Sequence, residues 1–546
     1  MNRTRCLLLC IIFVVFWSCG SKENNEVFGT FQLNGIEING ISQNASYTEV
    51  DPNLHVTLTF SEEIDQSTLQ KNITLQRLSA GPITLTYVIQ GKTIVLQSSE
   101  KLDIYTDYQL IINTGLKSTT GNRIQTGKVY YISTGLDHSD KFPHIADEEL
   151  LTLVQRQTFR YFWDFGHPVS GMARERSSSG DIVTTGGTGF GIMAMIVAIE
   201  RQFIDRGAAV SRLLKITRFL KNNATPYHGA FAHWINGTTG RTQPFSEKDN
   251  GADLVETSFL FQGLLTARHY FRGENPDEKE LRELITELWE AVEWSWFRRN
   301  NEEVLYWHWS PDYGWDMNHK IRGWNESLIT YVLAASSPTF PIGKPVYDNG
   351  WADKGNMRNN GVYYDFKLPL GPSYGGPLFF AHYSFLGLNP WNLKDQYADY
   401  WQQNVHHAKI NHAYCKLNPA QNRGYSAVCW GLTASDGNSG YSAHSPTNDK
   451  GVIAPTAALS SMPYTPEESM AALHFFYYKL GDKLWKQQGF IDAFNLSVGW
   501  YANDFLAIDQ GPIIVMIENH RSGLLWNIFM DIPEIKTGLT KLGFSY

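Results

Sequence analysis

Cysteine is scarce: 546 residues carry five. Cys6, Cys10 and Cys19 cluster at the N-terminus, so the bulk of the chain holds only Cys415 and Cys429. That excludes a disulfide scaffold and leaves either one bridge or two buried thiols. No zinc-type Cys/His spacing occurs. The nearest run, "HHAKINH" with His406, His407 and His412, reads as a helix face. Positive charge is also short: Lys and Arg number 46 against 54 acids, a net charge of −8. With no basic–aromatic stripe, nucleic acid is not the partner expected.

The first residues, "MNRTRCLLLCIIFVVFWSCGSKENNE", have a basic start and an apolar core from Cys6 to Trp17. That core is short for a membrane span, and Ser18-Cys19-Gly20 follows it. The pattern resembles a bacterial lipoprotein signal. The expectation is a signal over 1–18, a tether over 19–26 and lipidation at Cys19. The chain would then be exported and lipid-anchored, in the periplasm or at the outer-membrane surface. Its only membrane contact would be that lipid.

Aromatics are plentiful: 14% of the chain, with 17 Trp and 27 Tyr. Large cores use aromatic rings, and so do sugar clefts, where flat faces stack on pyranose C–H surfaces.

Residues 27–135 read as a β-domain. "LHVTLTF", "ITLTYVIQGKTIVLQ", "YQLIINTGL" and "KVYYIST" alternate apolar and polar at period two between glycine turns. "FSEEIDQSTLQKNITLQ" with "YTDYQLIINTGLKSTTGN" resembles a bacterial Ig-like domain. Residues 136–546 change to helical periodicity, with helices expected at 147–165, 187–205, 208–222, 252–272, 277–297, 326–336, 376–388, 394–412, 466–480, 483–494 and 512–530. Loops rich in Gly, Pro, Asn and aromatics separate them. The fold expected is mainly α: an (α/α)6 toroid preceded by a small β-sandwich, with long loops holding the site on one face.

The candidate chemistry begins at "DNGADLVETSFLFQG". Asp249, Asp253 and Glu256 open a helix that is apolar nearly all round. Capping and the helix dipole account for one or two of these acids. They do not account for an acid inside a buried helix. Side chains one turn apart lie about 5–6 Å apart and point the same way. An inverting glycosidase sets its two carboxyls about 6.5–9.5 Å apart, across the scissile bond. The stretch therefore supplies one partner at most. Glu326 in "GWNESLITYVLAASSP" is the candidate counterpart, expected just inside a helix capped by Asn325. Trp309, Trp315 and Trp324 crowd the loop before it, and Tyr374 lies further on. In "AIDQGPIIVMIENHRSGLLW", Asp509 precedes a helix start at Gly-Pro, and Glu518 and Arg521 interrupt an apolar helix. Those two are either sugar ligands or a structural ion pair.

These runs, with "GGPLFFAHYSFLGLNP", "YSAVCWGLTASDG" and "GVIAPTAALSSMPYTPEESM", resemble the β-1,2-glucanases of glycoside hydrolase family 144 over about 147–546. The resemblance implies an (α/α)6 barrel and inverting hydrolysis of β-1,2-glucan without metal or cofactor. It points to Asp249, Asp253 and Glu326 as essential acids, and less firmly to Asp509. The family includes endo-acting glucanases and exo-acting forms that release the disaccharide sophorose. On burial and helix-dipole grounds Asp253 suits the acid and Glu326 the base. Glu256, Asp509, Trp309, Trp315, Trp324, Tyr374, Glu518 and Arg521 would hold sugar. Two other readings stay open: another α/α-barrel glycosidase or lyase, and a non-catalytic glycan-binding lipoprotein.

Overall fold

The computed structural model describes residues 31–78 and 80–546. The expected signal, tether and Cys19 lie outside the described residues. The chain divides into two compact units: one runs up to Leu102 and over Asp107–Thr134, the other takes Asp103–Thr106 and Gly135–Tyr546.

Among the described residues the first unit has nine strands: β1 (Leu33–Ile38), β2 (Ser46–Val50), β3 (His55–Phe60), β4 (Ile73–Arg77), β5 (Pro82–Ile83), β6 (Leu85–Gln90), β7 (Thr93–Ser98), β8 (Asp107–Ile112) and β9 (Lys128–Thr134). They form two sheets, ordered β1-β3-β7-β6 and β2-β9-β8-β4-β5. All pairings are antiparallel except β2 with β9. The period-two pattern is the cause. Val56, Leu58 and Phe60 of β3 are buried with Leu75, Leu110 and Ile132 of the second sheet in one core. The β6–β7 hairpin pairs Gln90 with Thr93, and Gly91, at φ 58°, takes the left-handed turn between them.

The second unit is helical. Its main helices are α1 (Asp147–Trp163), α2 (Thr185–Glu200), α3 (Arg206–Asn222), α4 (Leu254–Tyr270), α5 (Pro276–Glu290), α6 (Leu328–Ser336), α7 (Tyr400–Leu417), α8 (Pro455–Leu459), α9 (Pro466–His474), α10 (Ala507–Ser522) and α11 (Pro533–Leu542). Helices α6, α4, α2, α10 and α8 touch in that order, and turns at Tyr383–Leu386 meet both α6 and α10. Around them, α1 packs on α2 and α10, α3 on α2, α5 on α4, α11 on α6 and α9 on α8. This is an inner and an outer layer of helices. The inner helices lack a polar stripe, so they are buried on every side. Small residues let α2 and α4 meet closely: a Cβ on Gly189 would sit 2.0 Å from the Phe259 carbonyl oxygen.

Several sequence expectations need correction. Residues 376–388 form 3-10 turns at Leu378–Ala381 and Tyr383–Leu386, because Gly375, Gly376 and Pro377 break the helix before it starts. Residues 483–494 end a four-residue helix, Gly481–Leu484, and then form a hairpin pairing Trp485–Lys486 with Gly489–Phe490. Gly489, at φ 90°, makes its turn. Helix α10 begins at Ala507, so Pro512 lies inside it and not at its start. It ends at Gly523, whose left-handed backbone separates it from Leu524–Met530. Helices α8 and α11 escaped the periodicity reading. Cys415 and Cys429 are buried free thiols. His406, His407 and His412 each bond a backbone carbonyl oxygen, of Lys367, Gly376 and Ala427, so they are structural. Among the described residues no helix is long and apolar enough to cross a membrane.

Candidate active site

The inner helices bring carboxyls and rings to a cavity of about 330 Å³. Asp253, Glu256, Glu326, Arg176, Glu175 and His233 line it, with Trp234, Phe245, Phe259, Trp307, Phe379, Tyr383 and Tyr441.

Asp253 is fully buried and does two structural jobs. It pairs with His308 in a short strand ladder, Ala252 opposite Trp309. It is also the N-cap of α4, its Oδ1 accepting the Val255 and Glu256 backbone N–H groups at 3.0 and 2.9 Å. Its Oδ2 lies 3.2 Å from His233 Nδ1 and 3.5 Å from His308 Nε2. Burial opposes its charge, but the hydrogen bonds and charges of His233 and His308 win and hold it well below the usual carboxylate range. Both imidazoles respond in kind. Burial alone would lower them, yet the neighbouring carboxylates raise each to about 9.

Glu256, one turn on, does not face Asp253. Its Oε2 accepts the Gly186 backbone N–H at 2.7 Å, at the start of α2. Burial pushes its carboxyl up, and the Asp253 charge adds to this. Asp249 is buried but lies outside the cavity lining. Its Oδ2 sits 3.3 Å from His308 Nε2.

Glu326 occupies the turn before α6, two residues earlier than the helix itself. Asn325 Oδ1 accepts the Ser327 N–H at 3.0 Å. Ser384 fixes the turn, its hydroxyl donating to the Glu326 carbonyl oxygen and accepting the Ile329 N–H. Burial raises the Glu326 carboxyl to about 7, and the charges of Glu256 and Asp253 add to the effect against its own backbone N–H. Burial thus raises the Glu326 carboxyl while the two imidazoles hold Asp253 low, the opposite of the order expected from burial and helix dipole.

A second acidic group borders the cavity. Arg176 sits among Glu175, Asp436 and Asp504, with Nη1 3.0 Å from both Asp436 oxygens. Asp492 accepts the Asp436 N–H at 2.7 Å. Asp492 and Asp509 face each other, both buried. Burial comes first and mutual charge next in raising Asp509 well above the usual range, while Asp492 rises to about 7. Tyr383 and Tyr441, both lining the cavity, feel the charge of Asp509 directly.

Other expected ligands sit elsewhere. Trp309 meets Trp296 edge-to-face at 5.4 Å, Trp315 lies tilted over Trp296 at 4.8 Å, and Trp324 is buried beside Phe385. Trp307 of the same loop is the ring that reaches the cavity. Tyr374 packs on Tyr363 and Tyr364, outside the lining. Glu518 forms a two-pronged ion pair with Arg201 at 2.8 Å, and Arg521 pairs with Glu148 and Gln155. Both are structural, because a charge inside the barrel wall needs a fixed partner. Sequence reasoning missed His233, His308, Arg176, Asp436 and Asp492. His308 stood between Trp307 and Trp309 in a loop already marked as aromatic, so its signal was present.

His233, Asp249 and Asp253 bring one metal-capable atom each within 4.8 Å of one another.

Two family models match, "Putative glucoamylase" over residues 318–533 and "Bacterial Ig-like domain" over 35–134. A crystal structure of a "putative glucoamylase" from Bacteroides uniformis is 57% identical with a TM-score of 0.73, covering 74% of this chain and 99% of that one. An endo-β-1,2-glucanase from Chitinophaga pinensis, solved with sophorotriose and glucose, is 50% identical with a TM-score of 0.72 over 74% and 99%. The chain belongs to glycoside hydrolase family 144. A curated family member, the exo-β-1,2-glucooligosaccharide sophorohydrolase (non-reducing end) of Parabacteroides distasonis, is 47% identical over 76% of this chain. The match spans 62% of that relative's length. The Ig-like unit precedes the family's catalytic domain here.

Proposed function

We propose that the protein is an inverting glycoside hydrolase that cleaves β-1,2-glucooligosaccharides in exo mode, releasing sophorose. The observation that carries this reading is the place of Glu326: a carboxyl in an aromatic cavity, with burial raising it to about 7. Such a carboxyl is suited to donate to the leaving glycosidic oxygen. The activities named for the two β-1,2-glucan relatives support the linkage, and the sophorohydrolase supports the exo mode.

Inversion requires a second carboxylate to activate water. Asp253 is a poor choice: both its oxygens are engaged and its basicity is suppressed. The Asp492–Asp509 pair fits better. It lies on a different element from Glu326, and its raised proton affinity makes the ionised partner a stronger base. Arg176 balances part of the local charge.

The experiment is incubation with linear β-1,2-glucan, with products sized from the first minutes and the anomer followed by NMR. Sophorose alone, released as the inverted anomer, supports the reading. A ladder of sizes means endo attack, and no new reducing ends defeats the glucanase reading. Roles separate on an aryl sophoroside: Glu326→Gln keeps activity where the leaving group needs no proton, and Asp509→Asn does not.

We also infer export with a lipid at Cys19, supported by the basic, apolar and Ser-Cys-Gly order of the first twenty residues. Cys19→Ala should abolish fatty-acid labelling; labelling that persists defeats this reading.

A further inference from the structure

We propose that His308 is a positioning residue through which Asp249 acts on Asp253, and that Asp249 itself touches no substrate. The inference rests on the glucanase reading.

Asp249 lies outside the cavity lining, yet it is buried and carries a carboxylate oxygen 3.3 Å from His308 Nε2. The same nitrogen lies 3.5 Å from Asp253 Oδ2. One imidazole edge therefore serves two carboxylates. Asp253 in turn meets His233 Nδ1 at 3.2 Å, and the other ring nitrogen of His233 lies 3.9 Å from Glu256. Phe245, half exposed in the cavity, stacks on His233 with centroids 4.4 Å apart. A line of alternating charge runs Asp249, His308, Asp253, His233, Glu256. Only its last three members line the cavity.

The far end of that line has a fixed seat. His308 stands opposite Asp253 in the strand ladder. Leu254 donates its N–H to the Trp307 carbonyl oxygen at 2.9 Å. Gly251 permits the approach: a Cβ there would lie 2.2 Å from the Trp309 carbonyl oxygen. His308 is flanked by the rings of Trp307 and His319, and its Nδ1 is buried without a hydrogen-bond partner. Among the described residues, its charged partners within ion-pair distance are Asp249 and Asp253, and the other titratable group facing it is the His319 ring.

Without His308, Asp249 and Asp253 would be two buried carboxylates sharing a single imidazolium, His233. Such a pair takes up a proton. A protonated Asp253 holds His233 weakly, and the cavity wall under Phe245 loses its anchor. The Asp249 backbone bonds to Phe245 and Ser246 are untouched by a side-chain change, so Asp249→Asn isolates the carboxylate.

The test is a double-mutant cycle on β-1,2-glucooligosaccharides with Asp249→Asn, His308→Gln and the pair. Each single variant should lower kcat about 100-fold with KM little changed, as loss of positioning does. The double variant should fall no further, because both changes break one line. Losses that multiply to about 10⁴-fold, or wild-type kcat in His308→Gln, overturn the inference. A readout independent of turnover is the His308 titration in full-length Asp249→Asn, followed by imidazole nitrogen shifts. It should fall by about one unit or more as one of two anions is lost; an unchanged titration overturns the inference. Wild type run in parallel separates the two ideas. If it releases no sugar from β-1,2-glucan, the glucanase reading fails, and the His308 titration still decides the inference.

Discussion

Glu256 caps a helix that is not its own: its carboxylate accepts the Gly186 N–H at 2.7 Å, joining the start of α2 to the first turn of α4. The bond ties two inner helices together at the cavity. It also explains an acid in a stretch that is otherwise apolar.

Gly186→Ala tests that joint. An added Cβ would lie 2.6 Å from the Glu256 carboxylate oxygen and 3.0 Å from the Phe259 ring. Overpacking of this kind costs about 1–3 kcal/mol. The thermal midpoint should fall and KM should rise as Glu256 is displaced. An unchanged midpoint would mean that the joint gives way freely.

Glu326→Gln should remove nearly all turnover of glucan, at least about 10³-fold, while the fold persists. In wild type the acid is protonated below about 7, so activity should decline as pH rises through that value. Stability has its own sign. The native carboxyl holds a proton that the unfolded chain loses near 4.5, so its contribution to stability falls between about 4.5 and about 7. Glu326→Gln should flatten that slope in denaturant midpoints taken at the two ends of the window.

Glu518→Ala should act on stability alone. Its side chain is 3% exposed and also accepts from Ser522 and Gln155. Removing it strands Arg201 in the barrel wall, at a cost of about 3 kcal/mol. Its carboxyl lies below the usual range, because Arg201, Ser522 and Gln155 outweigh burial. That stabilisation is present above the unfolded value and is lost as pH falls through the folded one. Urea titration should show the loss, and kcat and KM of the folded enzyme should match wild type. A raised KM would return Glu518 to the site.

Phe245→Ala should weaken binding. Its ring is 50% exposed and rests on His233 and Trp234 in the cavity. Loss of one sugar-stacking ring should raise KM about tenfold, near 1.4 kcal/mol, with kcat less affected. An unchanged KM would place the sugar elsewhere.

The local patterns were legible in the sequence. Period-two strands around Val56 and Leu58 and the stripe-free helices α2 and α4 follow from side-chain order alone, because burial on one face or on all faces leaves its mark on neighbours in the chain. So did the density of carboxyls at Asp253, Glu256 and Glu326. The one-turn spacing of Asp253 and Glu256 already excluded an acid–base pair between them. Tertiary structure decided the roles. A carboxyl's proton depends on what stands within a few ångströms of it, and those partners come from remote segments: His233 and His308 for Asp253, Gly186 for Glu256, Asp492 for Asp509. The same holds for Trp309, Trp315 and Trp324, whose loop promised a cleft while their rings serve its foundations. Sequence named the acids; only the folded chain set which remote partners each of them meets.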